Sequence, residues 1–298
     1  MIRREGGMPG VPRPLQIGPA TFRWGERTYV MGILNATPDS FSGDGLLGDR
    51  DPAAAAVVRA QAMAADGADI LDIGGESTRP GHETVGAGEE IARVVPVIEA
   101  VRAALPAMPI SVDTTKPAVA EAALDAGANL VNDVWGVAED DTLSRVASAR
   151  RAPVVLMHNR TEARYADLIT EVLDDLRAAI ERAVRAGVER DAIIVDPGFG
   201  FGKTPEHNLD LLRHLDEFRQ LGRPVLLGTS RKSTLGKVLD LPADQRLEAT
   251  LATTALAAAA SVDIVRVHDV RENVRAARMA DAIVRGDDGR TTHEGDGR

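Results

Sequence analysis

The chain contains no cysteine. Disulfides, thiolate metal sites and cysteine nucleophiles are therefore excluded. This fits a reducing compartment, where disulfides are rare. No apolar run approaches the length needed to span a bilayer. Residues 1–14 are polar and rich in Gly and Pro, without the apolar core of a signal peptide. Together these point to a cytoplasmic protein with no membrane partner. Basic excess is also missing, since the formal net charge is −10. A broad nucleic-acid surface needs such an excess. An anionic substrate would need cations concentrated locally. No linker divides the chain, and its repeats are structural units, not sequence repeats.

What remains is a soluble-type composition, 44% apolar and 27% charged over 298 residues. A chain of this size buries an adequate core without staples. Eight short, near-continuously apolar runs are predicted as strands: 29–35, 69–74, 110–114, 130–134, 154–158, 193–197, 225–230 and 264–268. Such runs suit parallel strands buried on both faces. Ala-rich amphipathic stretches lie between them, such as 52–65, 89–105, 117–126, 166–186 and 247–260. Several open near a proline, and others close on Gly67, Gly127 or Gly187, as helix ends do. Eight such units in this length give an α/β fold, a (β/α)₈ barrel of one domain over 15–286. The segment 15–29 is predicted as a hairpin plugging the barrel bottom. Residues 1–14 and 287–298 are expected to be disordered tails.

Polar residues stand where the buried strands end. They are Asn35, Asp72, Asp113, Asn132, His158, Asp196, Arg266 and His268, with Lys232 just past the seventh strand. Each is costly to bury alone. A single aspartate there serves equally well as a helix cap. Capping does not account for Lys, Arg and His on the same rim. In this architecture that rim is the catalytic face. Two Gly/Ser-rich loops, 36–45 and 75–82, are long enough to close over a substrate. A third, PGFGFGK at 197–203, resembles a phosphate-binding glycine loop but lacks Walker A spacing.

In order along the chain, GILNATPDSFSGDG (32–45), DILDIGGESTRPG (69–81), SVDTTKP (111–117), LVNDVWG (130–136), LMH (156–158), DPGFGFGK (196–203), GTSRKS (228–233) and RVHDV (266–270) resemble the dihydropteroate synthase family. The likeness runs from about residue 15 to residue 285. It implies a TIM barrel and a transferase of folate biosynthesis. That reaction joins p-aminobenzoate to 6-hydroxymethyl-7,8-dihydropterin diphosphate, with loss of diphosphate first and a pterin methylene cation. It further implies Mg²⁺, a homodimer and sulfonamide inhibitors.

Roles follow from the resemblance residue by residue. Asp113, Asn132 and Asp196 would read the pterin edge, since a carboxylate accepts two donors side by side. Met157, Phe201 and Gly228 would line the ring, Arg266 would stack on it, and Lys232 would bond its carbonyl side. Asn35 would contact Mg²⁺ through a hard oxygen. Asn35, Thr78, Arg79, Arg266 and His268 would hold the diphosphate. Phe41, Pro80, Lys232 and Ser233 would form the p-aminobenzoate site, with the helix N-terminus after Ser233 receiving its carboxylate. Asp113, Lys232, Asn35, Arg266 and His268 would carry the chemistry. Asp72 and Glu76 would act as supports. The first loop reads SFSGDG where members read SFSDGG, which shifts Asp44 by one place. The 247–260 helix, rich in small residues, is either close-packed on the barrel or a dimer surface.

Two other readings compete. One is a pterin-binding methyltransferase serving a corrinoid protein, which has no use for the STRPG and SRKS segments. The other is a non-catalytic barrel that only binds pterin, which would be expected to lose loop residues present here.

Overall fold

The computed structural model describes residues 11–37, 51–76 and 84–286. A short antiparallel hairpin, β1 (Leu15–Ile17) and β2 (Ala20–Phe22), precedes the barrel. The parallel strands are β3 (Tyr29–Asn35), β4 (Ile70–Gly74), β5 (Ile110–Asp113), β6 (Leu130–Asp133), β7 (Val154–Met157), β8 (Ile193–Asp196), β9 (Leu226–Leu227) and β10 (Ile264–Val267). The helices are α1 (Pro52–Ala65), α2 (Ala87–Ala104), α3 (Pro117–Asp125), α4 (Thr142–Ala149), α5 (Leu168–Arg185), α6 (Pro205–Arg213), α7 (Ser233–Leu239), α8 (Leu247–Ala259) and α9 (Val270–Val284). Strand order runs β8-β7-β6-β5-β4-β3-β10-β9, and a parallel bridge between Val195 and Val225 closes the ring. This is the expected (β/α)₈ barrel with its N-terminal hairpin.

Strand periodicity explains where polarity appears. Side chains alternate between the helix-facing and inward-facing sides of each strand. Val30, Leu71, Val131, Val154 and Val265 pack outward in the main core with the helices. Met31, Ile70, Leu130, Val155, Ile194, Leu226 and Ile264 face inward, in one cluster with Leu15, Ile17, Phe22, Trp24 and Tyr29. The hairpin thus plugs the barrel bottom. Two residues further on, the same inward faces carry Asp72, Asn132, Met157, Asp196, Gly228 and Arg266, joined by Asp113 of β5. The barrel interior is therefore oily at its base and ionic at its mouth.

Phe22 is almost wholly buried, 4.7 Å from the Tyr29 ring and 5.7 Å from the Trp24 ring. Replacing it by Ala should cost about 3–5 kcal/mol of stability, read as a lower denaturant midpoint at unchanged slope.

The boundaries differ from the sequence expectation in ways with local causes. β9 is only two residues, not six, because the backbone turns after it: the Thr229 carbonyl accepts the Lys232 N–H at 3.1 Å and Arg231 takes φ +56°, while the Thr229 and Ser230 hydroxyls bond Thr253 (2.7 Å) and the His268 ring (2.9 Å). Asp69 stays outside β4, since its carboxylate accepts the Val30 N–H at 2.8 Å and pairs with Arg27. Gly67, Gly127 and Gly187 end their helices at φ of +99°, +113° and +99°, as predicted. The sequence stretches 1–10 and 287–298, expected as tails, lie outside the described residues.

Candidate active site

The ionic layer is built around Arg266. From β10 its Nε donates to Asp72 Oδ2 (2.5 Å) and its Nη2 to Asp113 Oδ2 (2.7 Å). Asn132 Nδ2 also donates to Asp72 Oδ2, at 3.0 Å. That bond turns the Asn132 amide oxygen away from Asp72. Asp113 Oδ1 is buried without a hydrogen-bond partner. An orphaned buried carboxylate oxygen is expensive, and it marks a place where a ligand donor fits. Burial lifts the Asp113 carboxyl to about 7 against the pull of Arg266, with Asp72, Glu90 and Asp133 adding to the rise.

Opposite stands a second charge pair. Asp196 is 5% exposed, and its Oδ1 accepts the Gly198 N–H at 2.7 Å. Burial pushes its pKa up, opposed by Lys232 and that hydrogen bond. Burial brings the Lys232 ammonium down to about 8, opposed by Asp196. Lys232 Nζ donates to the Phe199 carbonyl and lies 4.4 Å from the Phe201 ring centre. Gly228 fits between the two cations. A Cβ there would sit 3.7 Å from Arg266 Cβ and 4.0 Å from Lys232 Nζ.

Asp113, Asn132, Asp196, Gly228, Lys232 and Arg266 thus meet in one place, with Met157 and Phe201 beside them. Asn35 ends β3, and His268 follows the adjacent β10, so both stand on the same rim. The His268 ring bonds Ser230. Ser233 opens α7 behind Lys232. Phe41, Asp44, Thr78, Arg79 and Pro80 lie outside the described residues.

A family model described as "Pterin binding enzyme" matches residues 31–268. The chain belongs to the pterin-binding enzyme family. A dihydropteroate synthase of Clostridium beijerinckii is 51% identical over 272 residues, covering 91% of this chain and all of that protein. Among solved structures, a dihydropteroate synthase of Clostridium difficile, crystallised in the presence of pteroic acid, is 50% identical with a TM-score of 0.84. The match covers 89% of this chain and 99% of that one. The Yersinia pestis enzyme in a sulfonamide complex gives 40% identity and a TM-score of 0.85, covering 92% of this chain and all of that one.

Two sequence expectations for this family member change. His158, read as part of the rim, is fully buried below it. Its Nε2 bonds Asp175 (3.1 Å) and its Nδ1 meets Lys203 Nζ (2.9 Å). Burial and Lys203 hold it down at about 3, so the ring is neutral. The glycine loop is likewise no phosphate cradle built on Lys203, because Lys203 turns beneath the loop to its own carbonyls and to His158 on the helix side. Asp72, read as a support, is the group that holds both Arg266 and Asn132. Ser111, two residues before Asp113 on the inner face of β5, was missed; its buried hydroxyl has no partner. The period-two register was the signal that would have found it. Glu76 does act as an anchor, together with Glu90, through Lys116.

A separate cavity of about 1310 Å³ opens at the opposite end of the barrel, beside Trp24, Arg27, Asp69 and Asp281. There Arg27 is paired with Asp69 and Arg285 with Asp281. Arg219, Arg223 and Arg278 line it as well, so this end is richer in cations, whereas the mouth leaves the Asp113 acceptor unfilled.

Proposed function

We infer that this chain is a dihydropteroate synthase, joining p-aminobenzoate to 6-hydroxymethyl-7,8-dihydropterin diphosphate with release of diphosphate. The observation that carries the reading is the buried Asp113 oxygen without a partner, in an interior that also offers Asn132, Asp196 and Lys232. A flat heterocycle with several N–H donors satisfies such a set. The relatives' reaction is consistent with it. Incubating the protein with pterin diphosphate, p-aminobenzoate and Mg²⁺ should release diphosphate; no release would refute the assignment and favour a barrel that only binds pterin.

In this reading Asp196, Asn132 and Asp113 receive the ring, and Met157 and Phe201 supply its apolar contacts. Strand ends hold these groups rigidly, which suits recognition of a planar edge. Lys232 bonds the carbonyl side of the ring. Arg266, gripped by two carboxylates, is fixed edge-on and offers its remaining surface to the substrate. Diphosphate leaves first, and the anionic Asp113 and Asp196 favour the cation that develops on the pterin methylene. The aniline nitrogen of p-aminobenzoate, a weak nucleophile, then attacks that cation.

Asn35, Thr78, Arg79, Arg266 and His268 are assigned to the diphosphate. Asn35 supplies a hard amide oxygen on the rim. No group of three acidic or histidine side chains among the described residues is arranged to hold a metal. One protein oxygen suits Mg²⁺ that arrives on a diphosphate, since this ion keeps waters and phosphate ligands. When bound, it would neutralise charge growing on the leaving group. Phe41, Pro80, Lys232 and Ser233 are assigned to p-aminobenzoate, and sulfonamides, as analogues of it, to the same place.

A homodimer is the oligomeric state proposed. Leu256 of α8 and Met279 and Ile283 of α9 are 55%, 63% and 70% exposed on two helices packed side by side. An exposed apolar face of this kind suits an interface. Sedimentation should give a dimer, and Met279→Glu with Ile283→Glu should give a folded monomer. An unchanged sedimentation coefficient would exclude this face. No helix among the described residues is long and apolar enough to cross a membrane, in keeping with a cytoplasmic enzyme.

A further inference from the structure

The loop that follows β8 touches Lys232 from one side and is tied down from the other. On the upper side, the Phe199 carbonyl accepts from Lys232 Nζ, and the Phe201 ring lies against the same ammonium. A Cβ at Gly200 would come within 2.9 Å of Lys232 Cδ. On the lower side lies Lys203, half-buried and turned away from the rim. Its Nζ donates to the Gly198 carbonyl (3.0 Å), the Phe201 carbonyl (3.1 Å) and His158 Nδ1 (2.9 Å). An ammonium has three donors, and all three are used.

The chain of contacts continues into the scaffold. Because Lys203 donates to Nδ1, the His158 proton stands on Nε2 and points to Asp175 of α5. Arg160 donates to the same Asp175 oxygen, Oδ2, at 2.8 and 3.0 Å. The Tyr165 hydroxyl donates to the Gly202 carbonyl at 2.8 Å. Asn208 accepts the Gly200 N–H (2.7 Å) and donates to Thr234 of α7 (2.9 Å). Gly198 and Gly202 sit at φ of +72° and +55°, and a Cβ on either would collide with the His158 or Arg160 carbonyl. The loop therefore has one shape, clamped from within.

We propose that Lys203 is a positioning residue for pterin binding: from beneath, it holds the 197–203 loop in the shape that presents the Phe199 carbonyl and the Phe201 ring to Lys232. The proposal rests on the assignment of Lys232 to the pterin site. Lys203 itself touches no substrate. A loop held only for stability would not need to act through Lys232, and that difference is measurable.

Calorimetry with pterin diphosphate, in the absence of p-aminobenzoate, compares four full-length chains: unmodified, Lys203→Met, Lys232→Ala, and both together. Lys203→Met keeps the stem and removes the three donors. It should weaken binding about tenfold or more in the intact chain and at least about threefold less than that when Lys232 is already gone, where only the direct Phe201 contact remains to be lost, the non-additivity expected of residues in one network. Equal losses in both backgrounds would overturn the proposal, as would no loss in either. Should Lys203→Met fail to fold, Tyr165→Phe supports the same comparison, because it removes only the hydroxyl bond to the Gly202 carbonyl. Its expected loss is about threefold, and that loss should likewise shrink without Lys232. Turnover by the unmodified chain tests the assigned reaction separately, since the binding comparison requires no chemistry.

Discussion

Asp113→Asn should lower kcat by about 10²–10³-fold while weakening pterin diphosphate binding by only about tenfold. Asparagine keeps the size of the side chain and an oxygen for Arg266 Nη2, now at 2.7 Å from Asp113 Oδ2. Its amide nitrogen then stands where Oδ1 is open to a ligand donor, which accounts for a modest loss of affinity. What it removes is the negative charge, in a nearly waterless site where charge acts strongly. That charge matters most when cation develops on the pterin methylene. Equal losses in kcat and affinity would sink this account. The pH dependence gives a second check. With its carboxyl lifted to about 7, Asp113 in the free enzyme loses its charge as pH falls through that value. In the unmodified enzyme kcat/KM should decline below about pH 7, and this limb should be absent in the variant. Stability should move the other way. A folded-state pKa raised above the ordinary value of 3.8 means ionisation opposes folding, so this contribution is present at low pH and lost as pH rises through about 7.

Asp196→Asn should act chiefly on binding. The substituted side chain still has an oxygen for the Gly198 N–H, so the loop keeps its anchor. Its amide nitrogen, however, places a donor against the donors of the pterin edge, and Lys232 loses its nearest counter-charge. Breaking a buried hydrogen-bonded charge contact costs about 2–5 kcal/mol, so the pterin diphosphate Kd should rise at least about thirtyfold. Lys232 should also titrate lower, because Asp196 is what holds its pKa up against burial. Unchanged affinity measured by calorimetry would remove Asp196 from the pterin site.

Much of the site was readable along the chain because buried strands rarely end in Asp, Asn or Arg without cause. Asp113, Asn132, Asp196 and Arg266 each broke an apolar run, and the structure brings all four together. The directions in which side chains turn were less readable. His158 and Lys203 have the composition of rim residues. They turn towards the helix layer, His158 to Asp175 of α5 and Lys203 to His158, under the Gly198 and Gly202 backbone, a shape set by contacts with His158 and Arg160. β9 was overestimated for a similar reason: its apolar pattern continues to Gly228, but the backbone turn that pairs the Thr229 carbonyl with the Lys232 N–H ends the ladder.

Local pattern alone decided the barrel, its plugging hairpin and the level at which its interior becomes polar. These depend on periods of two and of 3.6 and on residues that end helices, all of which act over a few neighbours. Pairing within the polar layer depended on ring closure. Arg266 reaches Asp72 across 194 positions of sequence and Asp113 across 153, because β10 and β3 meet to close the sheet. Which acid holds the arginine, which oxygen stays open for a ligand and which lysine faces the mouth are matters of side-chain geometry around that ring. No periodicity encodes them, since each is settled by competition among several buried charges for few partners.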